Sequence, residues 1–247
     1  MSNIFTLTLI GSLVGITGTG LGGLIALSIV RSNNKFLSSL LGFTSGLMLA
    51  VVTFDLLPES FSVGGFFTGI VGILLGVLTV IIIEDFIPVF YKTYQKTNKN
   101  NFLKTGIILG IGIAIHNLPE GLAVGSSFMF TTQMGFNIAL VIALHNIPEG
   151  MAMATPLKIS GMPKTKVLLL TLLSGIPTGI GAFIGAALGN ISNFFISLCL
   201  AFAGGTMLYI TCGELIPNAK KLYNGRASTI GLTIGLIIGI FITTGNH

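Results

Sequence analysis

Charge is what this chain has least of. Lys, Arg, Asp and Glu make up 8% of its 247 residues, against roughly 25% in an ordinary soluble domain. With 52% hydrophobic residues and a mean hydropathy of +0.95, most of its surface is not built for water. Cysteine is nearly absent: Cys199 and Cys212 stand thirteen residues apart in one apolar run, too far along a single helix for a disulfide. Buried free cysteine commonly serves as a small apolar residue, so soft-metal ligation is the lesser reading for both. A nucleotide-binding P-loop is missing, as is any soluble domain or long tail, which argues against an ATP-driven pump and against a sensor with its own output.

What remains is apolar sequence in runs of about 20 residues, each long enough to cross a hydrocarbon core near 30 Å thick. Eight spans are expected, at 4–30, 36–57, 66–89, 102–128, 134–155, 167–189, 192–216 and 228–244. The first has no basic residue ahead of it and is read as a retained span rather than a cleaved leader. The expected fold is therefore an all-α integral membrane protein, a single eight-span domain over residues 1–247. A net charge of +5 could suggest nucleic acid, but placement argues otherwise. Arg31 and Lys35, then Lys92, Lys96, Lys99 and Lys104, then Lys158, Lys164 and Lys166, then Lys220, Lys221 and Arg226 mark alternate connections. Basic connections stay in the cytoplasm, so both termini are expected outside a cell membrane crossed many times, with the bilayer and no nucleic acid as partner.

Glycine is abundant at 34 residues, about twice the usual share. Part of it recurs at spacing four: Gly181, Gly185 and Gly189, then Gly231, Gly235 and Gly239. Small residues one turn apart let helix backbones approach closely; smooth faces would also suit helices that slide.

The chemistry is concentrated in a duplicated motif. A-I-H-N-L-P-E-G spans Ala114 to Gly121 and A-L-H-N-I-P-E-G spans Ala143 to Gly150, a repeat distance of 29 residues. Consecutive spans run antiparallel, and the motifs fall roughly 21 and 16 Å into their helices, near the bilayer midplane. In each, His and Glu are four apart and Asn and Glu three apart, so the side chains share a helical face. Facing one another, His116, Asn117 and Glu120 with His145, Asn146 and Glu149 offer imidazole, carboxylate and amide oxygen to one point, a donor set suited to a borderline divalent metal. Pro119 and Pro148 cannot donate to the carbonyls of Ile115 and Leu144, so the fourth and fifth helices are expected to kink at a midplane site.

An ionised side chain at a helix centre costs at least about 2.5 kcal/mol on insertion scales. Two such carboxylates beside two neutral imidazoles carry a formal charge of minus two, which a bound dication cancels. The plainer alternative is that each His or Glu only hydrogen-bonds a neighbouring helix. Duplication speaks against it: apart from His247, the only histidines in the chain sit in this one pattern.

These motifs resemble those of the ZIP (Zrt/Irt-like) metal transporter family, whose fourth and fifth spans carry H-N-x-P-E-G and a similar H-x-x-P-E-G. F-D-L-L-P-E-S at Phe54 to Ser60, E-D-F-I-P at Glu84 to Pro88 and G-E-L-I-P at Gly213 to Pro217 look like the ends of the family's second, third and seventh spans. The resemblance implies eight helices, metal uptake into the cytoplasm, a substrate site between the fourth and fifth helices, and movement of one helix group against another. It also implies a transporter without cofactor or enzymatic activity, with the metal as substrate, zinc leading and iron, manganese or cadmium compatible with the same ligands. A homodimer is a further expectation.

Two departures bear on stoichiometry. Bacterial relatives hold a second metal using an acid after the fifth-span His and another in the sixth span, where this chain has Asn146 and Thr178. The histidine-rich loop common between spans three and four is also missing, Tyr91 to Asn101 containing no histidine. Asp55, Glu59, Glu84, Asp85 and Glu214 could serve entry or exit of a cation, or could pair with interfacial lysines. Two other functions stay open. An intramembrane metalloprotease would place two histidines around a Glu in H-E-x-x-H, which neither motif does, and a metal-selective channel would share the same ligands.

Overall fold

The computed structural model describes residues 4–28, 34–91 and 100–244. The elements are α1 (Ile4–Ser28), α2 (Asn34–Val51), a π-helical turn (Val52–Leu56), α3 (Leu57–Tyr91), α4 (Asn100–Phe130), α5 (Thr132–Ile159), α6 (Lys164–Ser174), α7 (Ile176–Gly189), α8 (Asn193–Ile210), a second π-helical turn (Thr211–Leu215), α9 (Ile216–Leu222) and α10 (Ala227–Thr244). No strand occurs among the described residues. Five helical stretches there are long and apolar enough to cross a membrane: Ile4–Ser28, Asn34–Ile82, Thr132–Ile159, Lys164–Gly189 and Asn193–Leu222. Ala227–Thr243 is a shorter apolar helix. Arg31, Lys92, Lys96, Lys99 and His247 lie outside the described residues, as do the side chains of Glu84, Asp85, Lys104 and Glu214.

The stretch Asn34–Ile82 has 49 residues, more than twice what a single crossing needs. Gly65 divides it, with φ 78° and ψ 168°, a conformation open essentially to glycine alone. The second expected span thus runs past residue 57 to this break. The seventh likewise continues beyond 216, through α9 to Leu222. In both cases a π turn precedes the proline: Leu57 N–H bonds Val52 O and Ile216 N–H bonds Thr211 O. Pro58 and Pro217 then fall in the first turn of the resumed helix, where a missing N–H costs little. Sequence reading stopped at these acids and prolines because each normally ends a span.

The sixth expected span is two helices, since Pro177 cannot donate to Leu173 O and the chain breaks at Gly175. The α5–α6 connection closes with Gly161 N–H to Lys158 O and Met162 N–H to Leu157 O, the pattern of a helix C-cap in which Gly161 takes φ 87°.

Packing sorts the helices into two groups. In one, α1 lies on α5, α6 and α7, and α4 on α5 and α7. In the other, α2 pairs with α10 and α9, and α3 with α8, and the two groups meet where α4 packs on α8 and α2 on α5. Glycines weld each group internally. A Cβ at Gly121 would strike the Thr178 backbone carbonyl, and one at Gly181 would strike that of Leu118. In the second group Gly231 lies against Ser39 O, Gly235 against Phe43 O, and Gly205 against Ile73 O. Among the described glycines only Gly189 reaches across, its Cβ position 3.2 Å from Ile196 Cγ1. The groups instead meet through bulky side chains: Met48, Val52 and Leu56 share one buried cluster with Ile138, Val141 and Ile142. The glycine stripes are therefore packing surfaces within each group and not a smooth face between them.

Candidate metal centre

Helices α4 and α5 lie side by side and both run as unbroken helix through their motif prolines. They bring four of the six motif side chains into a single buried cluster. Glu120 is at its centre: His145 Nε2 donates to Glu120 Oε1 at 2.7 Å, and His116 Nε2 stands 3.0 Å from the same oxygen. Glu149 Oε1 is 3.5 Å from His116 Nε2. Ligand atoms of His116, Glu120 and Glu149 all fall within 4.8 Å of one another, a span one cation could bridge. His145 joins through Glu120. Exposure is 4% for His116, 0% for Glu120 and His145 and 2% for Glu149, so these groups are shielded from bulk water.

Three polar atoms of this cluster have no hydrogen-bond partner among the described residues: Glu120 Oε2, Glu149 Oε2 and His145 Nδ1. Buried carboxylate oxygens left this way are costly, and a cation bound between them relieves that cost. The donor set is nitrogen and oxygen, with no cysteine in the group of His116, Glu120 and Glu149, which suits borderline divalent metals.

The two asparagines are placed differently from the His/Glu pairs. Asn117 Nδ2 donates to Ser174 O at 2.7 Å, tying α4 to the α6–α7 break and leaving Asn117 Oδ1 unpartnered. Asn146 is fully buried with both amide atoms unpartnered, and lies against α1, where a Cβ at Gly18 would come 2.6 Å from its own Cβ. Thr178 is also fully buried with Oγ1 unpartnered, facing Gly15 of α1.

Asp55 sits on the first π turn and is 8% exposed; Glu59, one turn on, is half-buried. Both hold partners. Neither belongs to the three-ligand group around Glu120 among the described residues. The backbones of Glu84, Asp85 and Glu214 are helical, and their side chains lie outside the described residues.

Access to the cluster is asymmetric, a feature the sequence reading missed. Residues that share a helical face with His116 or His145 recur every three to four positions. Toward the α4–α5 connection these are Ala123 and Ser127 on α4 and Ile138 and Val141 on α5, all buried, three of them in the apolar core cluster. Toward the Lys158 end they are Leu109 and Gly112 on α4 and Ala152 and Pro156 on α5, all only half-buried. A Cβ at Gly112 would meet nothing within 4 Å. Among the described residues, one end is closed by apolar packing and the other is less tightly packed. The signal for Gly112 was its spacing, four residues before His116.

Residues 95–244 match the model of the family described as ZIP Zinc transporter. Over its length the chain is 32% identical to Zinc transporter ZupT of Chlorobium luteolum, covering 96% of this chain and 97% of that one. It is also 32% identical to Zinc transporter ZupT of Corynebacterium glutamicum, covering 95% of each, and 30% identical to that of Clostridium perfringens, covering 96% and 95%. The duplicated H-N-x-P-E-G helices, the buried His/Glu cluster they build and these full-length similarities lead to one assignment: the chain belongs to the ZIP family, as a multi-pass membrane protein.

Proposed function

We propose that this protein carries a divalent transition metal, zinc foremost, across the cytoplasmic membrane into the cell, binding it between α4 and α5 through His116, Glu120, His145 and Glu149. The observation that supports this most directly is the mutual approach of His116, Glu120 and Glu149 ligand atoms to within 4.8 Å in a buried setting. Two carboxylates and two imidazoles neutralise a dication where the medium is apolar. With no metal bound, His145 supplies an N–H donor to Glu120; metal would take over that role, and its binding releases protons from the ligands. Asn117 and Asn146 add neutral amide oxygens at the edge of the site. Family membership makes the chain a transporter and not an enzyme, so the protease alternative falls. Carrier rather than channel is the reading favoured by the apolar seal on one side of the cluster. In this arrangement eight crossings put the basic connections inside and both termini outside, the Lys158 end being cytoplasmic. The test is flux of labelled zinc into proteoliposomes against competing iron, manganese and cadmium. Saturable uptake that unlabelled zinc suppresses best is expected; flux that never saturates would sink the carrier reading.

The route to the cytoplasm should pass Gly112. A cysteine placed there with Cys199 and Cys212 replaced by serine is expected to react with a membrane-impermeant thiol reagent from the lysine-rich side only. Zinc should slow that reaction severalfold. Labelling from the opposite side alone would reverse the orientation.

One tightly held metal per protomer is expected, because Asn146 and Thr178 supply no negative charge for a second. Elemental analysis after gel filtration checks this, and about two metals per chain would contradict it. Asn146→Asp with Thr178→Glu should raise the count toward two.

A further inference from the structure

The sixth span breaks beside the metal centre, and the break frees a backbone oxygen. In an unbroken helix Ser174 O would accept from Thr178 N–H, or in a tighter turn from the N–H of the residue before it. That residue is Pro177, which has no N–H to give. Thr178 N–H turns instead to Gly175 O at 3.3 Å. Gly175 keeps right-handed helical angles, φ −83° and ψ −13°, so the proline and not the glycine interrupts the hydrogen bonds. Ser174 is 4% exposed, shielded from bulk water, and the donor that reaches its carbonyl is Asn117 Nδ2, at 2.7 Å.

We propose that this break is a positioning device for the metal site, with Pro177 and Ser174 as positioning residues that fix the amide of Asn117. A carbonyl oxygen only accepts, so it can hold that amide by its NH2 group and not by its oxygen. Asn117 Oδ1 is then the atom left over, in a residue 0% exposed, and it has no hydrogen-bond partner among the described residues. A cation needs that end of an amide, because the other end carries only donor hydrogens. Asn117 follows His116 directly and precedes Glu120 by one turn, so the amide shares a helical face with Glu120. The break is itself pinned from behind. A Cβ at Gly175 would strike the Gly15 carbonyl of α1, and one at Gly15 would strike the Gly175 carbonyl. The anchoring oxygen thus belongs to a backbone wedged between α1 and α4.

This inference rests on the zinc site proposed between α4 and α5, and zinc affinity and thermal melting of the purified full-length protein test the two separately. Groups that orient a metal ligand typically carry about tenfold to a hundredfold in metal affinity. Pro177→Ala restores an N–H and should let α6 and α7 join, Thr178 N–H taking Ser174 O from Asn117. Zinc affinity should fall by about tenfold, while removal of a helix-breaking proline should leave the melting temperature unchanged or higher. A merely structural role for the break predicts no such split. Asn117→Ala should lose as much affinity, and in the double variant the losses should not add, because both remove one contact. Leu169→Ala, an exposed change on α6, should bind zinc like the wild type. Additive losses, or wild-type affinity in a folded Pro177→Ala, would overturn the proposal, and wild-type affinity in Asn117→Ala would do so whatever Pro177→Ala does. If Glu120→Ala also bound zinc normally, the site itself would be wrong; if only Glu120→Ala lost zinc, this inference alone would fall.

Discussion

Glu120→Ala should reduce zinc flux by a factor of at least about a hundred, and Glu149→Ala should lose nearly as much. Removing one partner from a buried charge cluster typically costs about 3–5 kcal/mol, and each 1.4 kcal/mol is tenfold in binding. Glu120 is the more sensitive of the two because one of its oxygens serves both imidazoles, at 2.7 Å from His145 and 3.0 Å from His116. Glu149 has a single approach of 3.5 Å. Both variants should still fold, since each removes a buried charge and leaves neutral imidazoles behind. Lys221→Ala, an exposed change on α9, should transport normally. The measurement is zinc uptake in proteoliposomes together with zinc bound per chain in detergent. Near-normal uptake in either glutamate variant would refute the ligand assignment.

Gly121→Leu should yield no properly folded protein. The added Cβ would lie against the backbone oxygen of Thr178, and a backbone atom cannot step aside as a side chain can. The contact is reciprocal, because Gly181 of α7 is pressed against Leu118 O of α4. Any side chain at Gly121 must therefore push α4 and α7 apart and pull Asn117 from Ser174 O. Overpacking a core commonly costs about 1–3 kcal/mol per inserted group, out of a total stability of only about 5–15 kcal/mol. Gly121→Ala should lower the melting temperature measurably, while Gly112→Ala, with nothing within 4 Å of the new methyl, should melt like the wild type. Gel filtration and thermal melts read both results. A monodisperse Gly121→Leu with wild-type melting would mean that the two helices are not held at this spacing.

Membrane character and the duplicated His/Glu motif were written in the sequence by itself. Each depends only on local composition or on spacing along one helix, whereas the kinks expected at Pro119 and Pro148 do not interrupt α4 and α5, which run on through both prolines. Tertiary structure decided the rest. That Glu120 rather than Glu149 is the shared acceptor depends on how α4 and α5 are rotated about their axes, which no spacing encodes. Asn117 is divided between the site and Ser174 O because α6 breaks at Gly175 beside it. Glycine spacing foretold close helix contact, but its partners, and hence the division into two welded groups, follow from which backbones meet. The extra length of the second and seventh spans was hidden because π turns let the helix continue past Asp55–Pro58 and Glu214–Pro217. The looser packing around Gly112 among the described residues depends on where neighbouring helices lie, and a one-dimensional pattern records only the contacts a residue is suited for.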